Sequence, residues 1–332
     1  MKAIITGANG QDARLLATHL RREGWTVKGI VRPGSAMSGE ADEVMGLDLL
    51  DEEQVRGLVK SFEPDHIYHL AACHHSSEQV GSAAIEHEMV QVNFQAAEVL
   101  AATVAALRPA CRLLCAGSSQ MYTPPRAGYL SVVEDTVERP STFYGYTKKW
   151  SRELLSHYRA CRGVFGVTCI LFNHESTLRS PRYITRKVSM AAAAVASGLS
   201  GDLSINNIGA EVDWSDARDI VAGMFLAMTA STPADYVLAS GQTRTVEELL
   251  RVAFGHVGRD WRDFVKERRG PPAGALVGGI DRATNRLGWS PKISFTDMVK
   301  EMVEHDIALT ANQKDLPCYE RGGSSRPGRE AS

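Results

Sequence analysis

The chain has 332 residues, 44% of them hydrophobic and 23% charged, with a formal net charge of -2. That length allows a large core in one big domain or two modest ones, and the near-neutral balance gives nucleic acid nothing to bind electrostatically. No apolar run approaches the roughly 20 residues a membrane span needs, and no charged-then-apolar leader precedes the first strand, so a cytoplasmic protein is expected.

Lys2 to Thr6 is a short apolar strand that runs into Gly7-Ala8-Asn9-Gly10-Gln11-Asp12-Ala13 and then a helical pattern carrying Leu15, Leu16 and Leu20. Strand, glycine turn, helix is the context of a dinucleotide-binding loop, in which backbone N–H groups approach a pyrophosphate at the helix N-terminus. Gly7, Asn9, Gly10, Gln11 and Asp12 are the candidate cofactor residues there. A second strand, Thr26 to Val31, ends in Arg32, where an NAD-binding chain usually presents an acidic residue to the ribose. A guanidinium there suits a 2′-phosphate, which favours NADP over NAD; the plainer alternative is a solvated strand-end charge.

A third strand, Glu43 to Leu47, is followed by Asp48 and Leu49, then a helix from Glu52 to Ser61. His66 to Ala72 is a fourth apolar run, bounded by Pro64 and the polar Cys73-His-His-Ser-Ser-Glu78. Strands alternating with helices imply a parallel sheet wound by right-handed crossovers, with ligands at the carboxyl ends of the strands. Asp48, Leu49, Leu70, Ala71 and Ala72 are therefore placed beside the cofactor, and His74 and His75 along the active site. A metal at the two histidines lacks a third ligand at useful spacing.

Glu88 to Leu107 reads as a long alanine-rich helix, and Cys111 to Gly117 as the strand that delivers Ser118-Ser119-Gln120. The six cysteines show no metal spacing and are expected as buried thiols. A helix over 143–163 puts Tyr144 and Lys148 four apart, on one face. The ammonium would favour the phenolate and bring its pKa toward the working range, with Ser118 sharing the substrate proton. The alternative is a Tyr and a Lys on an ordinary amphipathic helix. After the strand Val167 to Leu171 the character changes: Asn173-His-Glu-Ser176 is polar, Arg179 to Lys187 is basic, and short strands follow from Leu203 to Asp213. Arg186 and Lys187 beside a polar turn suit a pyrophosphate, or are a solvated helix start. The tail after Gln313 is polar and rich in Gly and Arg, with a mobile character expected.

Thr6 to Asp12, Gly29-Ile-Val-Arg32, Leu171 to Ser176, Tyr183 to Lys187, Asp213 to Asp219, Leu238 to Gln242 and Leu287 to Lys292 resemble the extended short-chain dehydrogenase/reductases of nucleotide-sugar metabolism. The likeness is greatest to the GDP-mannose 4,6-dehydratase family and covers about residues 1 to 308. It implies an α/β fold with a Rossmann-type doubly wound parallel sheet. An NADP-binding domain would occupy residues 1–172, an interleaved nucleotide-sugar-binding part 173–312, and a mobile tail 313–332. It also implies hydride transfer at C4 of a hexose, GDP-linked by preference, in a homodimer or tetramer. Tyr144 would be the base, Lys148 its partner and a cofactor ligand, and Ser118 the second hydroxyl. Ser119, Asn173, Arg186, Lys187 and Arg218 would lie along the substrate with the two histidines.

Gln120 is the main departure. The dehydratases carry a glutamate there that removes the C5 proton and helps expel the C6 hydroxyl; a neutral amide only hydrogen-bonds. Elimination is then lost, leaving an epimerase or a 4-ketoreductase, or else Glu78, His75 or Cys115 has taken it over. Val212 stands where an arginine usually precedes Asp213-Trp214, and a short Pro33-Gly34-Ser35 segment replaces a longer loop between subunits. A non-catalytic NADP-binding regulator is the rival from another class.

Overall fold

The computed structural model describes residues 1–74, 82–267, 270 and 273–314. The candidates His75 and Glu78, and most of the expected mobile tail, lie outside the described residues. The first half runs β1 (Lys2–Thr6), α1 (Gln11–Arg22), β2 (Thr26–Val31), β3 (Glu43–Gly46), α2 (Glu52–Phe62), β4 (His66–His69), α3 (Ala83–Val90), α4 (Ala96–Leu107), β5 (Arg112–Ala116), β6 (Tyr129–Val132), α5 (Phe143–Arg162) and β7 (Phe165–Leu171). The second half runs β8 (Asn173–Glu175), α6 (Ile184–Ala196), β9 (Leu203–Ile205), β10 (Glu211–Asp216), α7 (Ala217–Thr229), β11 (Tyr236–Leu238), β12 (Thr243–Thr245), α8 (Val246–His256), β13 (Val265–Glu267), β14 (Ala275–Gly278), α9 (Asp281–Leu287) and α10 (Phe295–Lys314).

Seven parallel strands form one sheet in the order β3-β2-β1-β4-β5-β7-β11. Ile4, Ile5, Ile67, Tyr68, Leu113 and Leu114 are fully buried, as both faces of a parallel sheet must be. One face packs on α1 and α7, the other on α2, α4 and α5. The order reverses between β1 and β4, so the crevice at their carboxyl ends is where such a sheet holds a ligand. This is the doubly wound architecture expected from the alternating strands and helices.

The helix expected from Glu88 starts earlier, at Ala83, where the Ser82 hydroxyl accepts the N–H of Ile85. It continues through a π-helical turn, Gln91–Gln95, into α4. Over Ala83–Leu107 it is long and apolar enough to cross a membrane, which corrects the expectation that no such run exists. Its alanines, however, pack α4 against α2 and α5.

The second core lies between α6, α8 and α10 around Trp214, Phe254 and Trp261. It is joined to a three-stranded sheet, β12-β10-β8. The two parts interleave: α7, β11 and α9 return to the large sheet. Asp213 ties them together, its buried carboxylate accepting the N–H groups of Ser240, Gly241 and Gly278 and the Ser240 hydroxyl. Burial raises the pKa of this carboxyl, and those four donors oppose the rise.

Candidate active site

Gly7 makes the turn that separates β1 from α1. Its φ is +73°, and a Cβ there would sit 2.8 Å from the Ala71 Cα, so the loop lies directly against the chain leaving β4. Gly10 caps α1 without a side-chain acceptor, which leaves N–H groups of the first turn facing the crevice. Asn9 is turned outward, its amide donating to the Ala36 carbonyl. Gln11 and Asp12 reach across to the second half: Gln11 donates to the His174 carbonyl and accepts from Ser176, and Asp12 pairs with His174 Nε2 at 2.9 Å. Burial disfavours the His174 imidazolium, but Asp12 outweighs it and raises the ring's pKa. The ring is held at both ends, since Nδ1 lies 2.6 Å from the Phe172 carbonyl.

Arg32 follows β2 with its side chain 77% exposed, in an ion pair with Glu88 at 3.1 Å. So open a pair contributes little, and leaves the guanidinium available to a competing anion. Asp48 accepts its own loop's Leu50 N–H, and Leu49 packs on the core behind the sheet. Leu70, Ala71 and Ala72 follow β4 along the Gly7 loop, where Ala71 N–H donates to the Thr6 hydroxyl.

Ser118 leaves β5 and caps the turn Ser119–Met121 by accepting the Gln120 N–H at 3.1 Å. Thr142 caps α5 by accepting the Gly145 N–H, which brings Tyr144 and Lys148 round to the same crevice. The close approach needs a glycine: a Cβ on Gly145 would lie 2.1 Å from the Gln120 carbonyl oxygen. The Ser118 hydroxyl stands close enough to the Tyr144 phenol to draw its pKa down. Lys148 Nζ lies 5.6 Å from the Tyr144 ring centre and donates to the Ala116 carbonyl at 3.0 Å.

The electrostatics differ from the sequence expectation. Burial, with Tyr183 and Asp12 nearby, pushes the Tyr144 phenol up; the Ser118 hydroxyl and Arg179 pull the other way. The ammonium of Lys148 is itself lowered to about 8 by burial. Spacing along a helix placed the two on one face, but it did not show that the Lys148 head would be turned to a carbonyl.

Gln120 accepts from the Thr142 hydroxyl through Oε1, at 3.2 Å, and its Nε2 lies 3.1 Å from His74 Nε2. The His74 ring meets Tyr144 edge-on at 4.5 Å and stacks on Tyr183. Cys115 is inside the core on β5, its thiol pushed up to about 12 by burial, so it offers no base at neutral pH. Sequence reasoning missed Asn93. In the π-helical turn its side chain accepts the Cys73 N–H and donates to the Cys73 carbonyl and the Thr147 hydroxyl, joining the end of β4 to α5. A π-turn has no clear sequence signal, though it recurs at functional sites.

The remaining substrate candidates divide. Asn173 is exposed at the start of β8, Lys187 is half-buried on α6, and Ser119 is buried. Arg186 is buried and paired with Asp306 at 2.6 Å, and Arg218 is held between Asp216 and Glu301. Both guanidiniums are ion-paired in the structure, and the buried Nε of Arg186 has no hydrogen-bond partner among the described residues. Opposite Val212 in the antiparallel pair stands Arg244, a cation one strand away from the expected position. A surface cavity of about 710 Å³ between α2 and the end of α4 contains none of these residues.

Known proteins resemble this chain in sequence and in fold. A GDP-mannose 4,6 dehydratase of Arabidopsis thaliana is 32% identical over 95% of this chain and 92% of its own. In fold the chain matches a UDP-glucose 4-epimerase of Brucella ovis in complex with NAD, with a TM-score of 0.79, 18% identity and coverage of 92% of this chain and 98% of that one. It also matches RMD of Pseudomonas aeruginosa complexed with NADPH, with a TM-score of 0.77, 18% identity and coverage of 93% and 99%. The sequence model of the GDP-mannose 4,6 dehydratases matches residues 4–302, and the chain belongs to that family of nucleotide-sugar enzymes.

Proposed function

We propose that the chain binds NADP in preference to NAD and oxidises C4 of a nucleotide-linked hexose, with GDP the favoured nucleotide. The observation that carries this is the Ser118–Tyr144–Lys148 set beside the crevice at the carboxyl edge of the sheet. The residues fit a dinucleotide: the Gly7 turn lies flat on Ala71, α1 opens without a capping side chain, and Arg32 stands free enough to meet a phosphate. When bound, the nicotinamide supplies the acceptor for the C4 hydride. Tyr144 takes the C4 hydroxyl proton, Ser118 shares it, and Lys148 lies below to steady the ring and the cofactor ribose. On this reading residues 1–172 hold the cofactor and 173–312 mainly the nucleotide sugar. Lys187 lies near the uncapped N-terminus of α6, which suits a diphosphate, and Asn173 opens β8. The aromatic cluster of Phe94, Phe143, Tyr146 and Trp150 on the outer side of α5 supports a homodimer through the long helices.

Dehydration or epimerisation can follow C4 oxidation in such a site, and 4-ketoreduction is the hydride step run in the other direction. The family points to dehydration, while Gln120 favours epimerisation or 4-ketoreduction, neither of which needs a carboxylate at that place. Mass spectrometry of GDP-mannose after incubation with the protein and NADP tests this. Loss of one water marks the dehydratase; unchanged mass with a new chromatographic isomer marks an epimerase. No change at all removes GDP-mannose as substrate. Arg32→Glu is expected to weaken NADP by about 10-fold or more, as loss of a charge-assisted phosphate contact does, and NAD far less. Equal loss of both cofactors in a fluorescence titration would remove the 2′-phosphate role.

A further inference from the structure

We propose that His74 is the acid–base residue that replaces the missing glutamate, with Gln120 as its hydrogen-bond partner. This deepens the function above and presupposes its C4 oxidation. Cys115 is shut in the core, and the only ionisable ring against both Gln120 and Tyr144 among the described residues is His74, 3.1 Å from the Gln120 amide and 4.5 Å, edge-on, from the phenol ring. Its place is built: Asn93 grips the backbone of Cys73 on both its N–H and its carbonyl, and Tyr183 stacks beneath the ring with its hydroxyl 3.4 Å from Nδ1.

The network also assigns the proton. Thr142 accepts the Gly145 N–H at the start of α5, so its own hydroxyl hydrogen goes to Gln120 Oε1. That leaves the Gln120 NH2 pointing at His74 Nε2, which is then the lone-pair nitrogen of a neutral imidazole, with its hydrogen on Nδ1 toward Tyr183. Once Nε2 is protonated, rotating the amide by half a turn offers it a carbonyl. Thr142, with a second lone pair, can accept from the turned NH2. A glutamine thus serves the imidazole in both protonation states, where a glutamate would hold it charged.

The step balances within the site. In a 4-keto hexose the C5 hydrogen is acidic, and His74 Nε2 takes it as a proton. The C5–H electron pair becomes the C5=C6 double bond, and the C6–O bond breaks with its pair on oxygen. The same proton passes from Nε2 to that oxygen, so one water leaves and His74 is neutral again.

The test separates the two half-reactions in a single turnover of GDP-mannose with stoichiometric NADP, following reduced nicotinamide at 340 nm and the sugar by mass spectrometry. His74→Gln is expected to lose water elimination by about 100-fold or more, the usual weight of a general acid–base group, while reduced nicotinamide still accumulates. Adding Gln120→Glu to that variant is expected to bring elimination back by about 10-fold. His74→Asn stands in if His74→Gln does not fold, judged by circular dichroism. Elimination that survives in the variant, or elimination and hydride transfer falling together, overturns the role. A wild-type protein that reduces nicotinamide but releases no water overturns it too and leaves C4 oxidation standing. One that neither reduces nicotinamide nor changes the mass of the sugar overturns both.

Discussion

Tyr144→Phe is expected to lower hydride transfer from the sugar by about 10³-fold, within the range for removing a general base, and to leave cofactor affinity within a few-fold of wild type. The phenyl ring keeps its edge contact with His74 and its place above Lys148, so the crevice keeps its shape; only the hydroxyl beside Ser118 is gone. Stability should change little, because one hydrogen bond is worth about 1 kcal/mol. The pH dependence carries a second expectation. Burial holds the phenol protonated well above neutral pH, so the wild-type rate climbs as pH rises toward the tyrosine's titration, and the residual rate of the Phe variant does not. Absorbance at 340 nm across pH 6 to 9 reads both. A variant that retains most of the wild-type rate would move the base elsewhere, and one that no longer binds the cofactor would show Tyr144 to be a binding group.

How much of this was legible beforehand depends on the range of the interaction. The parallel sheet was, because each strand is an apolar run between turn signals, and alternation with helices leaves few topologies. Tyr144 and Lys148 were, because four residues on a helix is a local distance. The Gly7 turn was, because strand, glycine and helix are consecutive. What the sequence could not show is where long side chains end. Lys148 reaches the carbonyl of Ala116, 32 residues away in sequence, and that contact turns it from the phenol. Nor does the sequence show that α10 brings Asp306 to Arg186 and Glu301 to Arg218. Asn93 carries no signature, because its role depends on a π-turn and on β4 ending beside α5.

Arg186→Ala separates a supporting residue from a substrate ligand. In the structure its guanidinium bonds the Thr177 carbonyl and pairs with Asp306, which also accepts from Ser189 at 2.6 Å. Both side chains of the pair are buried, and breaking a buried pair from one side leaves the other charge in a low dielectric, a cost of about 3–5 kcal/mol. Asp306 then meets burial that already raises its pKa, without the cation that opposed it, and takes up a proton. At roughly 2–4 °C per kcal/mol for a large domain, the melting temperature should fall by about 10 °C. Arg186→Ala combined with Asp306→Ala should recover part of that loss, because no charge is stranded. The folded fraction should keep a KM for the nucleotide sugar within a few-fold of wild type, since α6 keeps Lys187 and its uncapped N-terminus. The opposite pattern, an unchanged melting temperature with KM raised 10-fold or more, is what direct contact between Arg186 and the diphosphate would give. Calorimetry and steady-state kinetics on the same preparation decide between them.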